Sequence, residues 1–288
     1  LYLIAGVRFD NLRTHSIPSD AWGSRPFIPE SSIVKTNPRI SAAYIARKGD
    51  SDSLAGGTRI HGSFGTGIRP PDGFELAFTD NPKLKPEKSI SFDAGIEQSF
   101  FSNRAVVDFT YFFNRFEDQI VTLGGSLQNL SRYTSDNLKN SRAQGFELSF
   151  RVNPLQSLEF GGQYTFLDTT VLALDGSSLA NAPYQVGQEL LRRPRHSAGY
   201  NIAWRHKRLT LSTNAYIRGA VLDAEPAWGN PFYTNKGYIR ADAGISYRLP
   251  KGVEIYGRLN NFLDRKYEES LGYPALRRNF MAGMRFTI

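Results

Sequence analysis

The sequence predicts an all-β chain that folds as an antiparallel transmembrane β-barrel, with about 12 strands present. Three observations support this fold class. Apolar and polar residues alternate in segments of roughly ten residues, and a period of two is typical of strands. The connections between segments alternate between short and long, and one face of the segments is charged. A tilted strand of about ten residues is long enough to cross a bilayer.

The alternating segments recur along the whole chain. Near the C-terminus, Ile239, Ala241 and Ile245 fall on one face, whereas Arg240 and Asp242 fall on the other. No long stretch has the period of a helix, which is about 3.6 residues. The predicted strands begin near Leu1, Pro38, Gly57, Ser89, Arg104, Ala143, Leu158, His196, Leu209, Tyr238, Val253 and Arg278.

The lengths of the connections favour a barrel over a soluble sandwich. A sandwich gives no reason for long and short loops to alternate, whereas outer-membrane barrels have short turns on the periplasmic side and long loops outside. The short connections lie near 48–56, 101–104, 153–157, 206–208 and 250–252. The long ones span about 11–37, 69–88, 122–142, 170–195, 222–237 and 265–277.

The polar face of the predicted strands is charged, and burying these charges in a sandwich core would be costly. In a barrel, the polar face meets a wet lumen and the apolar face meets lipid. The charged residues are Arg8, Asp93, Glu97, Glu147, Arg240, Asp242, Glu254, Arg258 and Arg285.

An aromatic residue lies near the end of the apolar face in each strand that runs into a short turn. Amphipathic rings gather at headgroup depth, so these residues are predicted to form an interfacial girdle. They are Tyr44, Phe100, Phe150, Trp204, Tyr247 and Phe286.

Composition argues against several other classes of protein. The chain has no cysteine, which excludes a disulfide scaffold and thiolate metal sites. Its formal net charge of +8 comes from scattered lysines and arginines, so no nucleic-acid partner is expected. No stretch approaches the roughly 18 apolar residues of a transmembrane helix.

No catalytic residue and no metal site is predicted. The histidines His15, His61, His196 and His206 fit no zinc motif, and no nucleophile is paired with a base. The Gly-rich stretch 62–67 lies within a predicted strand and opens no helix, which argues against a phosphate-binding loop. We therefore expect neither an enzyme nor a resident cofactor.

The long connections carry aromatic and basic residues, and binding residues gather on loops that a rigid scaffold holds. Rings and arginines at a barrel mouth suit a bulky, partly apolar, often anionic metal chelate. The run Arg192, Arg193 and Arg195 has two further readings, capture of a lipopolysaccharide phosphate or a solvated loop end. The predicted ligand-binding residues are Phe74, Phe78, Tyr133, Tyr184, Arg192, Arg193, Trp228 and Tyr233.

Two motifs resemble the barrel of TonB-dependent outer-membrane receptors. The first lies in 62–98 and includes Asn81, Pro82, Leu84, Lys85, Pro86, Glu87 and Ser89. The second is similar to that family's closing hairpin and includes Asn260, Asn261, Asp264, Tyr267, Gly272, Tyr273 and Pro274. With GFELSFRVNP, RRPRHSAGYNIAW and YIRADAGISYRL, the resemblance covers most of the chain.

The resemblance implies a receptor in the outer membrane of a Gram-negative bacterium. Barrels of this family have about 22 strands and a plugged lumen. Residues 1–288 are therefore expected to be the C-terminal part of such a barrel, without the N-terminal plug domain or the short box that contacts TonB.

The resemblance also implies a cargo and partners. The receptor would take up a metal chelate, namely a ferric siderophore, cobalamin or haem, with energy supplied by TonB through the plug. Outer-membrane lipid and lipopolysaccharide would surround the barrel. Two alternatives remain at this point. One is a stand-alone passive pore of twelve strands, and the other is a barrel-type enzyme, which would need a Ser–His pair on its lipid-facing surface.

Overall fold

A computed structural model describes residues 1–19, 27–49, 54–77, 81, 83–127, 130–174, 184–225, 230–270 and 272–287. Its elements, in chain order, are β1 (Tyr2–Thr14), β2 (Ser31–Arg47), β3 (Ala55–Arg69), α1 (Gly73–Ala77), β4 (Glu87–Phe100), β5 (Ala105–Leu127), β6 (Leu130–Leu155), β7 (Leu158–Ala173), β8 (His196–His206), β9 (Leu209–Arg218), β10 (Val221–Glu225), β11 (Asn230–Asn235), β12 (Tyr238–Arg248), β13 (Val253–Asn260), β14 (Glu268–Ser270), β15 (Tyr273–Pro274) and β16 (Asn279–Phe286).

Twelve strands form one antiparallel sheet in the order β1-β2-β3-β4-β5-β6-β7-β8-β9-β12-β13-β16. This arrangement confirms the predicted fold class and strand number. The other four strands form two hairpins, β10–β11 and β14–β15, inside long connections. Over the described residues, β1 pairs only with β2 and β16 only with β13, so these two strands are the edges of the sheet.

The predicted strand starts are accurate except at two strands. Ten of the twelve lie within two residues of an observed start, but β2 begins at Ser31 rather than near Pro38, and β6 at Leu130 rather than near Ala143. In both strands the missed residues lie toward the long connections. Backbone pairing therefore extends further toward that end than the apolar alternation does.

The predicted long connection at 122–142 is wrong. β5 continues to Leu127, which pairs with Leu130 of β6, so most of this range is a paired hairpin. Where β5 and β6 project beyond the alternating part of the sheet, apolar alternation lapses although backbone hydrogen bonds continue. Alternation with a period of two therefore underestimates strand length.

Three other long connections contain short elements that the pattern did not predict. The connection at 69–88 includes α1, that at 222–237 includes β10–β11, and that at 265–277 includes β14–β15. Among the described residues, no helix is both long and apolar enough to span a membrane.

The two faces of the sheet have opposite chemistry. On the apolar face, Ile96, Ile245 and Phe286 expose 46%, 52% and 67% of their surface. Contiguous apolar exposure on this scale marks contact with another apolar phase. The polar face is cross-linked between neighbouring strands by the pairs Arg59–Glu97, Arg205–Glu159 and Arg285–Glu254, at 2.9, 3.2 and 3.4 Å. His61 and Asp108, 2.9 Å apart, join β3 to β5 across β4.

The six predicted girdle residues all lie near the end of the sheet that carries the short turns. Phe100 and Phe286 are the last residues of β4 and β16, and Tyr247 is the next-to-last residue of β12. Phe150 lies over Gly162, where an added Cβ would be 2.5 Å from its ring. Tyr44 and Trp204 lie within three residues of the ends of β2 and β8. Their role at a membrane interface stays a prediction.

Candidate functional site

The long connections all leave the same end of the antiparallel sheet, which we call the long-connection end. Three clusters of interacting side chains lie there. The first cluster comprises Arg69, Glu75, Glu87 and Asn137. The second comprises Tyr184, Arg192, Asp223 and Tyr233. The third comprises Asn261, Asp264, Tyr267 and Arg277.

The first cluster begins at α1, which is held by a reciprocal cap. The amide of Glu75 donates to Asp72 Oδ1 at 2.8 Å, and the amide of Asp72 donates to Glu75 Oε2 at 2.8 Å. This is the capping-box arrangement, which satisfies amides that the first helical turn leaves without partners. It stabilises a helix of five residues that is too short to persist alone.

Arg69 joins this helix to the sheet. Its guanidinium contacts Glu75 at 3.0 Å and Glu87, its cross-strand partner, at 3.2 Å. Glu87 also accepts a hydrogen bond from the amide of Ile120 at 3.2 Å. Because Glu75 is nearly buried, this charged pair is better shielded from water than a surface ion pair. The network links β3, α1, β4 and β5.

Asn137 fixes the first family motif against the extended hairpin. This residue of β6 is buried, and its Nδ2 donates to the carbonyl oxygens of Lys85 and Asp118 at 2.9 and 2.7 Å. Its Oδ1 accepts from the amide of Lys85 at 2.8 Å. Asp118 has a φ of +52°, a backbone conformation that Asp tolerates better than most residues.

The motif around Asn81 is therefore anchored at several points. Asn81 Nδ2 donates to Asp136 Oδ1 at 3.2 Å, and Asn81 Oδ1 accepts from the amide of Lys83 at 3.0 Å. Pro82 lies outside the described residues. The contacts give this motif an architectural role, which is to tie the connection that precedes β4 to β6.

The second cluster surrounds Tyr184, which is buried with Leu138, Val171 and Leu190. The Tyr184 ring meets the ring of Phe232 edge-on, with centroids 5.9 Å apart. Burial raises the pKa of Tyr184 to about 12. The ring thus packs connection 184–195 against β6, β7 and β11, and it is not presented to solvent.

Asp223 connects the polar side chains of the second cluster. The carboxylate is fully buried and accepts from Arg192 Nε at 2.7 Å, Tyr233 Oη at 2.8 Å and the amide of Ala224 at 2.9 Å. A buried carboxylate needs such donors to offset its lost hydration. Sequence reasoning missed Asp223, since its side-chain partners lie 31 and 10 residues away.

The structure brings together three of the predicted ligand-binding residues, Tyr184, Arg192 and Tyr233. Arg193 is exposed and forms no side-chain pair with any described residue. The remaining positions are Phe74 in α1, Tyr133 in the projecting part of β6, and Phe78 and Trp228 outside the described residues. Contact between any of these residues and a ligand stays a prediction.

The third cluster is organised by Asn261, which is almost completely buried. Its Nδ2 donates to the carbonyl oxygens of Arg265 and Leu276 at 2.9 and 3.2 Å, and its Oδ1 accepts from the amide of Arg265 at 3.0 Å. Its own amide donates to Asp242 Oδ1 at 2.8 Å. Asn261 adopts a φ of +48°, so this turn uses a left-handed residue directly after β13.

Asp264 closes the same turn onto the last strand. Its carboxylate accepts from Arg277 Nε at 2.9 Å and from the amide of Arg278 at 3.0 Å. The Arg277 hydrogen bond is the main reason that the pKa of Asp264 falls to about 2. Next to this turn, Asn260 donates to Asn279 across β13 and β16 at 2.8 Å.

An aromatic and cationic wall completes the third cluster. The ring of Tyr267 stacks on Tyr238 with centroids 3.9 Å apart, and the Arg218 guanidinium lies 4.8 Å from the Tyr238 ring. A cavity of about 400 Å³ beside Tyr267 is also lined by Pro274 and Arg277. Aromatic and cationic linings suit an anionic group with apolar parts.

The turn between β14 and β15 belongs to this wall. Gly272 has a φ of +81°, which favours glycine, and its amide donates to Glu268 Oε2 at 3.0 Å. Tyr273 exposes 76% of its surface. Across the described residues, no three His, Cys, Asp or Glu side chains form a group that could hold a metal ion.

An antiparallel wall with an exposed apolar face, a cross-linked polar face and organised loops at one end defines a receptor-type membrane β-barrel. The chain belongs to the TonB-dependent receptor family, because the family model for the "TonB dependent receptor-like, beta-barrel" matches residues 1–262.

Two curated relatives and two solved structures are similar to this chain, and each is longer than it. The vitamin B12 transporter BtuB of Photobacterium profundum is 24% identical over 78% of this chain, and the catecholate siderophore receptor Fiu of Escherichia coli K12 is 23% identical over 96%. The chain spans 34% and 37% of their lengths.

The solved structures support the fold alone, because their identities are low. The siderophore receptor PiuA from Acinetobacter baumannii has a TM-score of 0.73 at 19% identity, covering 99% of this chain and 40% of that one. Fiu from Escherichia coli K12 in its closed form has a TM-score of 0.70 at 17% identity, covering 98% and 42%.

Proposed function

We propose that residues 1–288 are part of an outer-membrane receptor barrel that takes up a metal chelate with energy from TonB. The observation that carries this proposal is the sheet itself, whose exposed apolar face lies opposite a cross-linked polar face. Apolar residues facing lipid and polar residues facing a lumen are typical of outer-membrane barrels. Family membership supports the receptor class.

The open edges of the sheet favour a partial barrel over a complete small pore. Strands β1 and β16 have no pairing with each other in the described part of the chain. Unpaired backbone groups in hydrocarbon cost several kcal/mol each, so both edges require partner strands. Further strands of a larger barrel would supply them, and a plug in that barrel would provide the contact with TonB.

Capture of the chelate is assigned to the long-connection end. There Arg193 offers an exposed guanidinium that pairs with none of the described residues, and the wall around Tyr267 offers stacked rings beside cations. Relatives named for vitamin B12 and for catecholate siderophores support a chelate as cargo. We infer a ferric siderophore, cobalamin or haem, with the metal held by the cargo itself.

An uptake assay tests the proposal. The gene, in its complete natural reading frame, is expressed in a Gram-negative host that lacks its own receptors. Radiolabelled cobalamin, a ferric catecholate and haem are supplied separately. We expect one of them to accumulate, and accumulation to stop when TonB is deleted or a protonophore is added. Uptake without TonB, or a steady conductance in planar bilayers, would instead support a passive pore.

A loop variant tests where the chelate binds. Arg193→Gln is expected to weaken binding about fivefold, since a charge-assisted hydrogen bond contributes about 1 kcal/mol or more. Arg208→Gln is the matched control, because Arg208 is an exposed arginine beside a short turn at the other end of the sheet. Equal losses in the two variants would contradict capture at the long-connection end.

A further inference from the structure

The antiparallel sheet divides between β2 and β3. Their backbone pairing runs from the short-turn end to the pair Arg39–Gly65 and goes no further in the described part of the chain. Strand β2 nevertheless stays paired with β1 as far as Ser31, and β3 stays paired with β4 as far as Arg69. Two branches of paired backbone therefore separate toward the long-connection end, and we call the space between them the fork.

A proline marks the place where the fork begins. Pro38 is the residue of β2 that comes next to Arg39 toward the long-connection end. Proline has no backbone N–H and cannot donate to a neighbouring strand, so it is unusual inside a sheet. Pro38 keeps its place opposite Val7 of β1, so the pairing is lost only on the side of β3.

Residues 66–69 of β3 form one edge of the fork. Their other side is paired with β4. Because the backbone groups of successive residues point to opposite sides of a strand, half of the N–H and C=O groups in 66–69 face the fork. An unpaired edge of this kind is a template for another strand.

Two glycines show that the branches move apart. A Cβ added to Gly65 would lie 3.5 Å from Arg39 Cγ and 3.6 Å from the carbonyl oxygen of Pro38. A Cβ added to Gly67, two residues further along, would meet Ser89 of β4 but no described atom of β2 within 4 Å. The backbone at Gly67 is therefore open to close approach by another chain.

A buried amide holds the base of the fork. Asn37 is 4% exposed, and its Oδ1 accepts from Thr66 Oγ1 on the opposite branch at 3.2 Å. Its Nδ2 donates to Asp10, which also accepts from Arg8 at 2.9 Å. These side chains connect β1, β2 and β3 where the backbone ladder is missing, so the fork is a fixed feature of the fold.

The fork contains a cationic cavity of about 270 Å³. Its lining includes Lys35 from the β2 branch, and Lys88 and Arg115 from the side of β3. Lys35 and Arg115 form no side-chain pair with a described residue, whereas Lys88 lies 4.0 Å from Glu117. The excess of positive charge favours an acidic occupant.

The fork opens at the outer boundary of the apolar band. From Ala55, beside the short turn, to Gly65 is about ten residues, or roughly 34 Å at about 3.4 Å per residue. A strand tilted by about 40° covers about 26 Å of membrane thickness over that length, and the apolar band of outer-membrane barrels is about 25 Å tall. Residues 66–69 are therefore reached from water on the long-connection side.

We propose that the fork binds an extended acidic segment of a partner protein, which adds as a strand to residues 66–69 and places its carboxylates beside Lys35 and Arg115. Backbone pairing provides affinity for any extended chain, and the cations select acidic side chains. A small anion would neutralise the cations but leave the backbone groups unpaired. The inference rests on the proposed outer-membrane location and is separate from capture of the chelate.

Peptide binding tests this proposal on the protein made from its complete reading frame and placed in phosphatidylcholine nanodiscs. The probe is a capped fluorescent peptide of about eight residues that alternates aspartate with valine, and anisotropy reports binding. A peptide with lysine for aspartate, and the aspartate peptide with every backbone nitrogen methylated, should each bind at least about tenfold more weakly, because one loses charge attraction and the other its backbone donors.

Two variants locate the binding site. Pro38→Val supplies the missing N–H and lets β2 pair further along β3, so peptide affinity should fall at least about tenfold. Lys35→Gln/Arg115→Gln should weaken binding about tenfold, since two charge-assisted contacts are lost. Pro154→Val is the matched control, because Pro154 is an exposed strand proline beside a short turn, and its affinity should be unchanged.

Hydrogen exchange gives a second readout. Amides in 66–69 should exchange quickly in the free protein and slowly with the peptide bound, and Pro38→Val should slow them without peptide. Equal binding of the methylated peptide, full affinity in Pro38→Val, or protection only outside 66–69 would overturn the proposal. If Pro38→Val does not fold, as judged by heat-dependent electrophoretic mobility, the methylated peptide and the exchange pattern decide. No cargo is present, so failed chelate uptake leaves the result interpretable.

Discussion

Two buried asparagines hold two loops at the same end of the sheet, and they differ in how far apart their partners lie. Asn137 joins Lys85, 52 residues away, to Asp118, 19 residues away. Asn261 bonds Arg265 and Leu276, only 4 and 15 residues away. Each side-chain amide provides hydrogen bonds to backbone groups that the irregular segment cannot pair with other backbone groups. Asn137 thus couples separate elements, whereas Asn261 shapes one turn.

The largest loss of stability is expected from replacing Asn137, the asparagine whose partners are far away in sequence. Asn137→Ala removes three hydrogen bonds to the backbone of Lys85 and Asp118, so the free energy of unfolding should fall by about 3 kcal/mol. Hydrogen exchange should accelerate in 83–88, in 117–120 and around 137. Urea titration in lipid vesicles measures the first quantity, and exchange mass spectrometry measures the second.

Asn114→Ala is the matched control for Asn137. Asn114 is also a strand residue, but its side chain forms no hydrogen bond with the described residues, so its loss should change stability by less than about 0.5 kcal/mol. A similar loss of stability in both variants would show that the Asn137 network is unimportant.

Replacing Asn261, whose partners are closer in sequence, should lower stability less and should affect only its own turn. Asn261→Ala is expected to lower stability by about 2 kcal/mol and to accelerate exchange only within 261–278. Asn261→Gly loses the same side-chain bonds but accepts the φ of +48° without strain, so it should be about 1 kcal/mol more stable than Asn261→Ala. Faster exchange in β5 or β6 in either variant would contradict the local role.

Acid should loosen the third cluster as Asp264 becomes protonated. The pKa of Asp264 is lowered from 3.8 to about 2 by the Arg277 hydrogen bond, so its contribution is complete above pH 3.8 and is lost as pH falls toward 2. Exchange in 261–278 should rise across this window. Asp264→Asn should abolish the pH dependence there, and persistence of the dependence in that variant would assign it to another group.

The sequence predicts the parts of the fold in which one face of each strand is apolar. Alternation places strands such as β8, β9, β12 and β13 at their observed starts, because one side of each strand must be apolar. It fails from Ser31 to Pro38 and in the hairpin beyond Glu117, where alternation lapses while the ladder continues. Hydrogen bonding between backbones requires no pattern of side-chain polarity, so these extensions cannot be recognised from the sequence.

The candidate site is less predictable for a related reason. The motif residues Asn261 and Asp264 are recognisable because they belong to a stretch that resembles the closing hairpin of the family. Asn137 and Asp223 resemble ordinary polar residues, and only the paired strands bring them to Lys85 and Arg192. Partners of buried polar groups that are distant in sequence can therefore be identified only from the structure.

The central claim is that the apolar face of the sheet meets lipid and the polar face meets water. The chain has no cysteine, so Ile245→Cys and Ser246→Cys each provide a unique site for a spin label on opposite faces of β12. In lipid vesicles, the label at position 245 should be relaxed mainly by oxygen, and the label at 246 mainly by a water-soluble nickel chelate. Equal or reversed accessibilities at these two neighbouring positions would contradict the claim.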